Sequence, residues 1–230
     1  PEFKREGAFA EYVAVPQHIL YRLPEKVSFE QAAMVEPVAV ALHAVNLTQV
    51  SLNDTAVVGG AGMIALFVIQ LLKRAGCRQI IAFDLDPDRL ALARKLGATH
   101  TFKAGEIHLS EEVKKLTNGR GADIGFEVVG VTPVLKTVIE SVRKGAQVTL
   151  IGNVAAEVEL PLQQVVTRQL KLQGSCAICG EYEAALDLID RKLIETDPLI
   201  SAVAPLEEGA DWFNRLYRRE KGLMKVILKP

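Results

Sequence analysis

Between residues 55 and 174 the chain repeats one rhythm: a short β-branched strand, a glycine or polar stop, then an apolar helix. Strand-like segments at 56–58, 79–83, 99–102, 124–129, 147–151 and 170–174 alternate with helical segments at 63–74, 87–96, 109–117 and 133–142. Strands joined through helices run parallel, and parallel sheets need cover on both faces. The fixed right hand of such crossovers then leaves one main arrangement. The expected fold class is α/β: a Rossmann-type, doubly wound parallel sheet with helices on both faces. Gly76 and Gly97 stand where those helices must stop.

The two ends do not keep this rhythm. Residues 7–15 read as a strand halted by Pro16, and 19–23 as a second extended piece halted by Pro24. Ser28-Phe29-Glu30-Gln31 is a capping-box pattern, so a helix should begin there. Glu36-Pro37 should break it, because the residue before a proline is pushed out of the α region. A new helix is expected over 37–47. Beyond the alternating region the pattern predicts a helix over 181–191, a loop at Asp197-Pro198-Leu199-Ile200, a helix over 206–219 and a strand over 225–228. The expected organisation is therefore a dinucleotide-binding domain over 37–178, flanked by pieces of a second domain over 1–36 and 179–230.

One turn inside the alternating region carries chemistry. Gly60-Ala61-Gly62-Met63-Ile64-Ala65 follows a strand and opens a helix, the G-x-G-x-x-A variant of the dinucleotide fingerprint. Gly60 permits a tight turn. Gly62 has no Cβ, so a pyrophosphate can approach the backbone. Ala65 is small enough for helix to pack on strand. The amides of Met63 and Ile64 then face the phosphates from the positive end of the helix. Asp84 ends the next strand, where a carboxylate can accept hydrogen bonds from both ribose hydroxyls. The same charge repels a 2′-phosphate by roughly 1–4 kcal/mol at about 4 Å. The expectation is NAD over NADP. Arg89 is placed to flank the adenosine, with a solvent-facing arginine as the alternative. Ligands in open α/β sheets sit beyond the carboxyl ends of the strands. Val129-Gly130 and Ile151-Gly152 are therefore the loops expected to close on the cofactor.

Composition narrows the function classes. The formal net charge is -1, which argues against a general nucleic-acid binder, since phosphate neutralisation needs clustered Lys and Arg. Lys114-Lys115 and Arg218-Arg219 read as solvated helix faces. No apolar stretch reaches the roughly 20 residues of a membrane span. The chain has 3 cysteines, too few for a disulfide framework, which suggests a reducing, cytoplasmic setting. Cys176-Ala177-Ile178-Cys179 is one C-x-x-C pair without partners, a poor zinc site.

Residues 32–44 are apolar apart from Glu36 and His43. A carboxylate in such a stretch costs heavily unless paired, hydrogen-bonded or metal-bound. His43 is most simply a satisfied core histidine.

Across essentially its whole length the chain resembles the zinc-containing, medium-chain alcohol dehydrogenases, in the branch of sorbitol and threonine dehydrogenases. The residues that carry the resemblance are Gly7-Ala8-Phe9-Ala10-Glu11-Tyr12-Val13, the segment from Met34 through Glu36-Pro37 to His43-Ala44, the turn Val58-Gly59-Gly60-Ala61-Gly62, Asp197-Pro198-Leu199-Ile200 and the final strand. The resemblance implies that the flanking pieces belong to a catalytic, GroES-like domain and that the protein is a homo-oligomer, dimer or tetramer. It makes Glu36 a metal-site residue at a catalytic zinc and puts Val40 near the nicotinamide. Such a zinc keeps an open position and acts as a Lewis acid on the alcohol.

The resemblance has gaps. The family's catalytic cysteine and Gly-His-Glu motif lie upstream of the segment that opens this chain, and the four-cysteine structural zinc lobe is absent. Ala177-Ile178 stand where sorbitol dehydrogenases place Arg-Tyr, which weakens a sorbitol-like substrate. The expectation is the NAD-binding portion of a zinc-dependent dehydrogenase of a polyol or secondary alcohol, N-terminally truncated and inactive alone, with zinc only in the complete protein. No catalytic residue is assigned. The alternatives are a non-catalytic dinucleotide-binding module, an S-adenosylmethionine-dependent methyltransferase and a zinc-free quinone reductase.

Overall fold

The computed structural model describes residues 7–230. Six strands, β1 (Thr55–Gly59), β2 (Gln79–Asp84), β3 (His100–Lys103), β4 (Ala122–Glu127), β5 (Val142–Leu150) and β6 (Lys171–Gly174), form one sheet. Their order is β3-β2-β1-β4-β5-β6, and each neighbouring pair is parallel. Helices α1 (Phe29–Ala32) and α2 (Val35–Asn46) precede the sheet. Helices α3 (Met63–Arg74), α4 (Pro87–Leu96), α5 (Leu109–Leu116), α6 (Thr132–Ser141) and α7 (Leu162–Thr167) connect its strands, and α8 (Tyr182–Asp190) follows.

The residue types explain the layers. All five positions of β1 and all six of β4 are buried, as expected of strands covered on both faces. Val57, Ile81, Phe83 and Val148 face Leu109 and Val113 of α5 and Leu135, Val138 and Ile139 of α6 in one apolar cluster. Every residue of α3 from Ala65 to Leu72 is buried, and this helix packs on β1, β2 and α4. Each large apolar side chain buried in this way stabilises by about 1.5–3 kcal/mol. Truncating Phe126, fully buried in β4, would cost about 3–5 kcal/mol. The direction of sheet growth reverses between β1 and β4, which opens a crevice above their carboxyl ends.

Residues Glu36–Ala185 make one compact unit. The described residues up to Val35, with Leu186–Pro230, make a second. The second unit contains β7 (Ile200–Pro205), α9 (Gly209–Tyr217) and β8 (Lys225–Lys229), with β7 and β8 paired in parallel. The capping box at α1 forms as expected: the Gln31 amide donates to Ser28 Oγ and the Ser28 amide to Gln31 Oε1, each at 3.2 Å. Gln31 Nε2 also donates to Asp197 Oδ1 at 3.1 Å. Lys229 pairs with Glu30 at 2.7 Å, and Phe9 meets Phe213 edge-to-face with centroids 5.3 Å apart.

Four local expectations need correction. Residues 7–15 form no strand, because alternation alone does not supply the partner that a ladder needs. Residues 17–19 form a turn of 3-10 helix where an extended piece was expected to begin at 19. The break before α2 falls at Ala33–Met34, not at Glu36; Pro37 sits in the first turn of α2, where a missing N–H forfeits no helical bond. Finally, β7 and α7 were not anticipated; β7 is short, half exposed and stops at Pro205. The first six residues of the 1–36 span lie outside the described residues.

Candidate functional site

The glycine-rich turn sits at the carboxyl end of β1. Gly60 has φ of +102°, a left-handed conformation that glycine adopts without penalty. Its amide donates to the Phe83 carbonyl at 2.8 Å, which fixes the turn against the end of β2. Gly59 lies under α6; a Cβ there would come within 2.6 Å of Val134 Cγ1 and 2.9 Å of Val138 Cγ2. At Gly62 the surroundings are the opposite. Its backbone is extended (φ −73°, ψ −179°), and it is the N-cap of α3 with no side-chain cap. A Cβ there would meet nothing within 4 Å. The Leu66 amide is bonded to the Gly62 carbonyl at 2.9 Å, so Met63 and Ile64 precede it, in the turn whose amides an α-helix leaves unsatisfied. The turn therefore presents open space in front of uncapped donors and the positive helix end.

Asp84 faces this turn. Its Oδ2 accepts the Ala61 amide at 2.7 Å and its Oδ1 accepts the Asp86 amide at 2.9 Å. A carboxylate has about four lone-pair sites, so each oxygen keeps one for a further donor. Asp86 in turn caps α4 by accepting the Asp88 amide at 2.8 Å. Arg89 is exposed in the first turn of α4, its Nε 3.9 Å from Asp86 Oδ2.

The two closing loops are zipped together. The Val154 amide donates to the Val129 carbonyl at 3.3 Å, and the Ala155 amide to the Gly130 carbonyl at 3.0 Å. Gly130 and Gly152 meet backbone to backbone: a Cβ on Gly152 would run into Gly130 N and Val129 C. Ile151 and Gly152 each donate an amide to the Glu127 carbonyl, at 2.8 and 3.1 Å. Val129, Gly130, Ile151 and Gly152 thus share one rigid rim beyond β4 and β5.

Glu127 was missed by sequence reasoning. It is buried at 2% exposure, and its carboxylate accepts the Gly130 amide at 2.8 Å and the Val129 amide at 3.1 Å. Burial pushes its carboxyl above the ordinary value, against the opposing effect of the Gly130, Val129 and Val131 amides. The available signal was a glutamate directly after the apolar run Ile124-Gly125-Phe126. His43 Nδ1 lies 2.7 Å from Glu181 Oε1, which matches a satisfied histidine. Burial works against the Glu181 charge, but the Cys179 amide and His43 outweigh it and hold the carboxyl below its ordinary value.

Glu36 is exposed in the first turn of α2. Among the described residues no three His, Cys, Asp or Glu side chains gather as a metal group. The described residues do not by themselves fit a zinc ion. Cys176 and Cys179 are exposed, and no disulfide joins them. Burial, with the nearby charges of Asp54 and Asp123, pushes the Cys77 thiol up to about 12, which makes it inert at neutral pH. No helix among the described residues is long and apolar enough to cross a membrane.

Comparison with known proteins places this geometry. The model of the zinc-binding dehydrogenase family matches residues 64–191. Sorbitol dehydrogenase of Bacillus subtilis strain 168 is 29% identical over 227 residues, covering 98% of this chain and 64% of that protein. The crystal structure of 2R,3R-butanediol dehydrogenase from Bacillus subtilis superposes with a TM-score of 0.90 at 32% identity, covering 97% of this chain and 64% of that one. A structure from Sinorhizobium meliloti 1021, solved bound to NADP, aligns with a TM-score of 0.87 at 28% identity, over 98% of this chain and 67% of that one. The chain thus spans just under two thirds of the length of the curated relatives it matches.

Proposed function

This chain belongs to the zinc-binding dehydrogenase family, and from that premise we propose that it binds NAD across the crevice between β1 and β4. In the complete protein the cofactor then accepts hydride from a small polyol or secondary alcohol. The observation that carries this reading is the open space at Gly62 before the uncapped start of α3, with the Asp84 carboxylate beside it on the Ala61 amide.

In this reading Gly60 and Gly62 let the pyrophosphate approach, and the amides of Met63 and Ile64 bind it. Asp84 holds the ribose hydroxyls with its remaining lone pairs and disfavours a 2′-phosphate. Arg89 flanks the adenosine. Val129, Gly130, Ile151 and Gly152 form the wall against the nicotinamide half. Glu36 is assigned as a metal-site residue, with zinc held only in the complete protein. The oligomer is proposed to form through β6, which lies at the edge of the sheet with its outer side unpaired among the described residues. Three free thiols fit a reducing, cytoplasmic setting.

Calorimetric titration with NAD, NADP and S-adenosylmethionine tests the reading. Saturable heat is expected from NAD, weaker binding from NADP and none from S-adenosylmethionine. Binding of S-adenosylmethionine alone would overturn it in favour of a methyltransferase. Tighter binding of NADP, the molecule bound in the Sinorhizobium meliloti structure, than of NAD would remove the role given to Asp84.

A further inference from the structure

A second cavity lies away from the nucleotide crevice. It occupies about 460 Å³ between α5, α6 and α7, in the size range of small-molecule sites. Arg120 precedes β4, Arg143 and Lys144 belong to the start of β5, and Arg168 precedes β6. The cavity therefore lies toward the amino ends of these strands, whereas the glycine-rich turn follows a carboxyl end.

Its wall is strongly cationic. Lys114, Arg120, Arg143, Lys144 and Arg168 line it with a single carboxylate, Glu140. That is five cations against one anion, in a chain whose formal net charge is -1. Behind the wall Asp123, at 7% side-chain exposure, organises two of them: its Oδ1 accepts from Arg120 at 2.7 Å and from Arg143 Nε at 2.9 Å. The other oxygen of Asp123 is taken by the Thr55 amide at 2.9 Å. Arg168 is held by the Ile139 carbonyl at 2.8 Å and by the Val142 carbonyl. Hydrogen bonds therefore tether all three guanidinium groups along the cavity wall, with 59% of the Arg120 side chain and 37% of the Arg143 side chain open to solvent. Neither Lys114 nor Lys144 has an ion-pair partner among the described residues.

Tethered guanidinium groups and unpaired ammonium groups around one concavity concentrate positive potential and favour an anion with several acceptor oxygens. We propose that this cavity is a binding site for a small phosphorylated polyanion, separate from the nucleotide crevice and able to fill at the same time. Asp123 positions Arg120 and Arg143 in it, and Lys114 and Lys144 supply mobile charge to the ligand.

The test uses inorganic pyrophosphate as probe, titrated calorimetrically into the chain saturated with NAD. One-to-one binding that weakens with added salt is expected. Lys114→Gln with Lys144→Gln, both at exposed positions, should weaken it about tenfold or more, while Lys95→Gln in α4 leaves it unchanged. Thermal unfolding of the double variant should match the wild type, which separates lost binding from lost fold. Absence of saturation at millimolar pyrophosphate would overturn the proposal. So would equal loss in Lys95→Gln, which would mean diffuse charge, or displacement of pyrophosphate by NAD, which would put it in the crevice. Binding of an acidic peptide but not of pyrophosphate would assign the cavity to a protein partner and equally overturn it. If NAD itself does not bind, the titration is run on the free chain, so the two readings fail separately.

Discussion

Substituting alanine for Gly62 should separate binding from folding. The backbone there is extended at φ −73°, ψ −179°, which alanine adopts freely, and the new Cβ would meet no atom within 4 Å. Restricting the unfolded chain stabilises by about 0.4–1 kcal/mol. Alanine is a poorer N-cap than glycine by a comparable amount. The two effects offset, so the melting temperature should move by less than about 4 °C. Binding behaves differently, because that open space is where the pyrophosphate must sit. Displacing it forfeits the bonds from the Met63 and Ile64 amides, each worth about 1.5–3 kcal/mol to a charged acceptor. Together that is about 3–6 kcal/mol, or two to four decades in Kd. Calorimetry with NAD and thermal unfolding on the same sample measure both quantities. Unchanged NAD affinity in a folded Gly62→Ala chain would refute the placement of the phosphates, and with it the assignment of the turn.

The other predictions concern the same rim. Asp84→Ala removes the acceptor of the buried Ala61 amide and should cost about 1–3 kcal/mol of stability. It should also lower the ratio of NADP to NAD dissociation constants by one to three decades, since a repulsion of roughly 1–4 kcal/mol is lost; an unchanged ratio rejects the role. Gly152→Ala drives a Cβ into the backbone of Gly130 and Val129. A loss of about 3 kcal/mol is expected in denaturant unfolding, and a wild-type midpoint would show that the two loops are free to part. Glu127 gives a pH signature. Its native pKa is raised above an ordinary value of 4.5, so the native state holds its proton longer than the unfolded chain. Its contribution to stability is complete below 4.5 and is lost as pH rises through the raised value. Glu127→Gln cannot ionise, so the difference in unfolding free energy between wild type and variant should move against the wild type across that window. A difference flat with pH would contradict the shift.

Much of the larger unit was legible because its signals are local or periodic. Met63 to Arg74 is a run of good helix formers after a glycine turn, and Asp86-Pro87 is a cap followed by a proline at the first helical position; both helices start where those residues dictate. Asp84 was placed at the end of its strand by the strand pattern of residues 79–83, and its carboxylate does face the turn. Glu127 was not legible, because its effect depends on amides of residues two and three positions on that curl back only once the loop is folded. The role of Gly152 was equally hidden: its close contact is with Gly130, 22 positions earlier in the sequence.

The order of residue types by itself determined the alternation of strand and helix, the position of the glycine turn and the acidic residue of the next strand, since each follows from steric and capping preferences within a few residues. Tertiary structure alone decided which strands became neighbours in the short sheet of β7 and β8, that residues 7–15 form no strand, and that five scattered cations share one cavity. These outcomes turn on partners far away along the chain. A backbone amide or a charge acquires its energy from the group that folding brings opposite it.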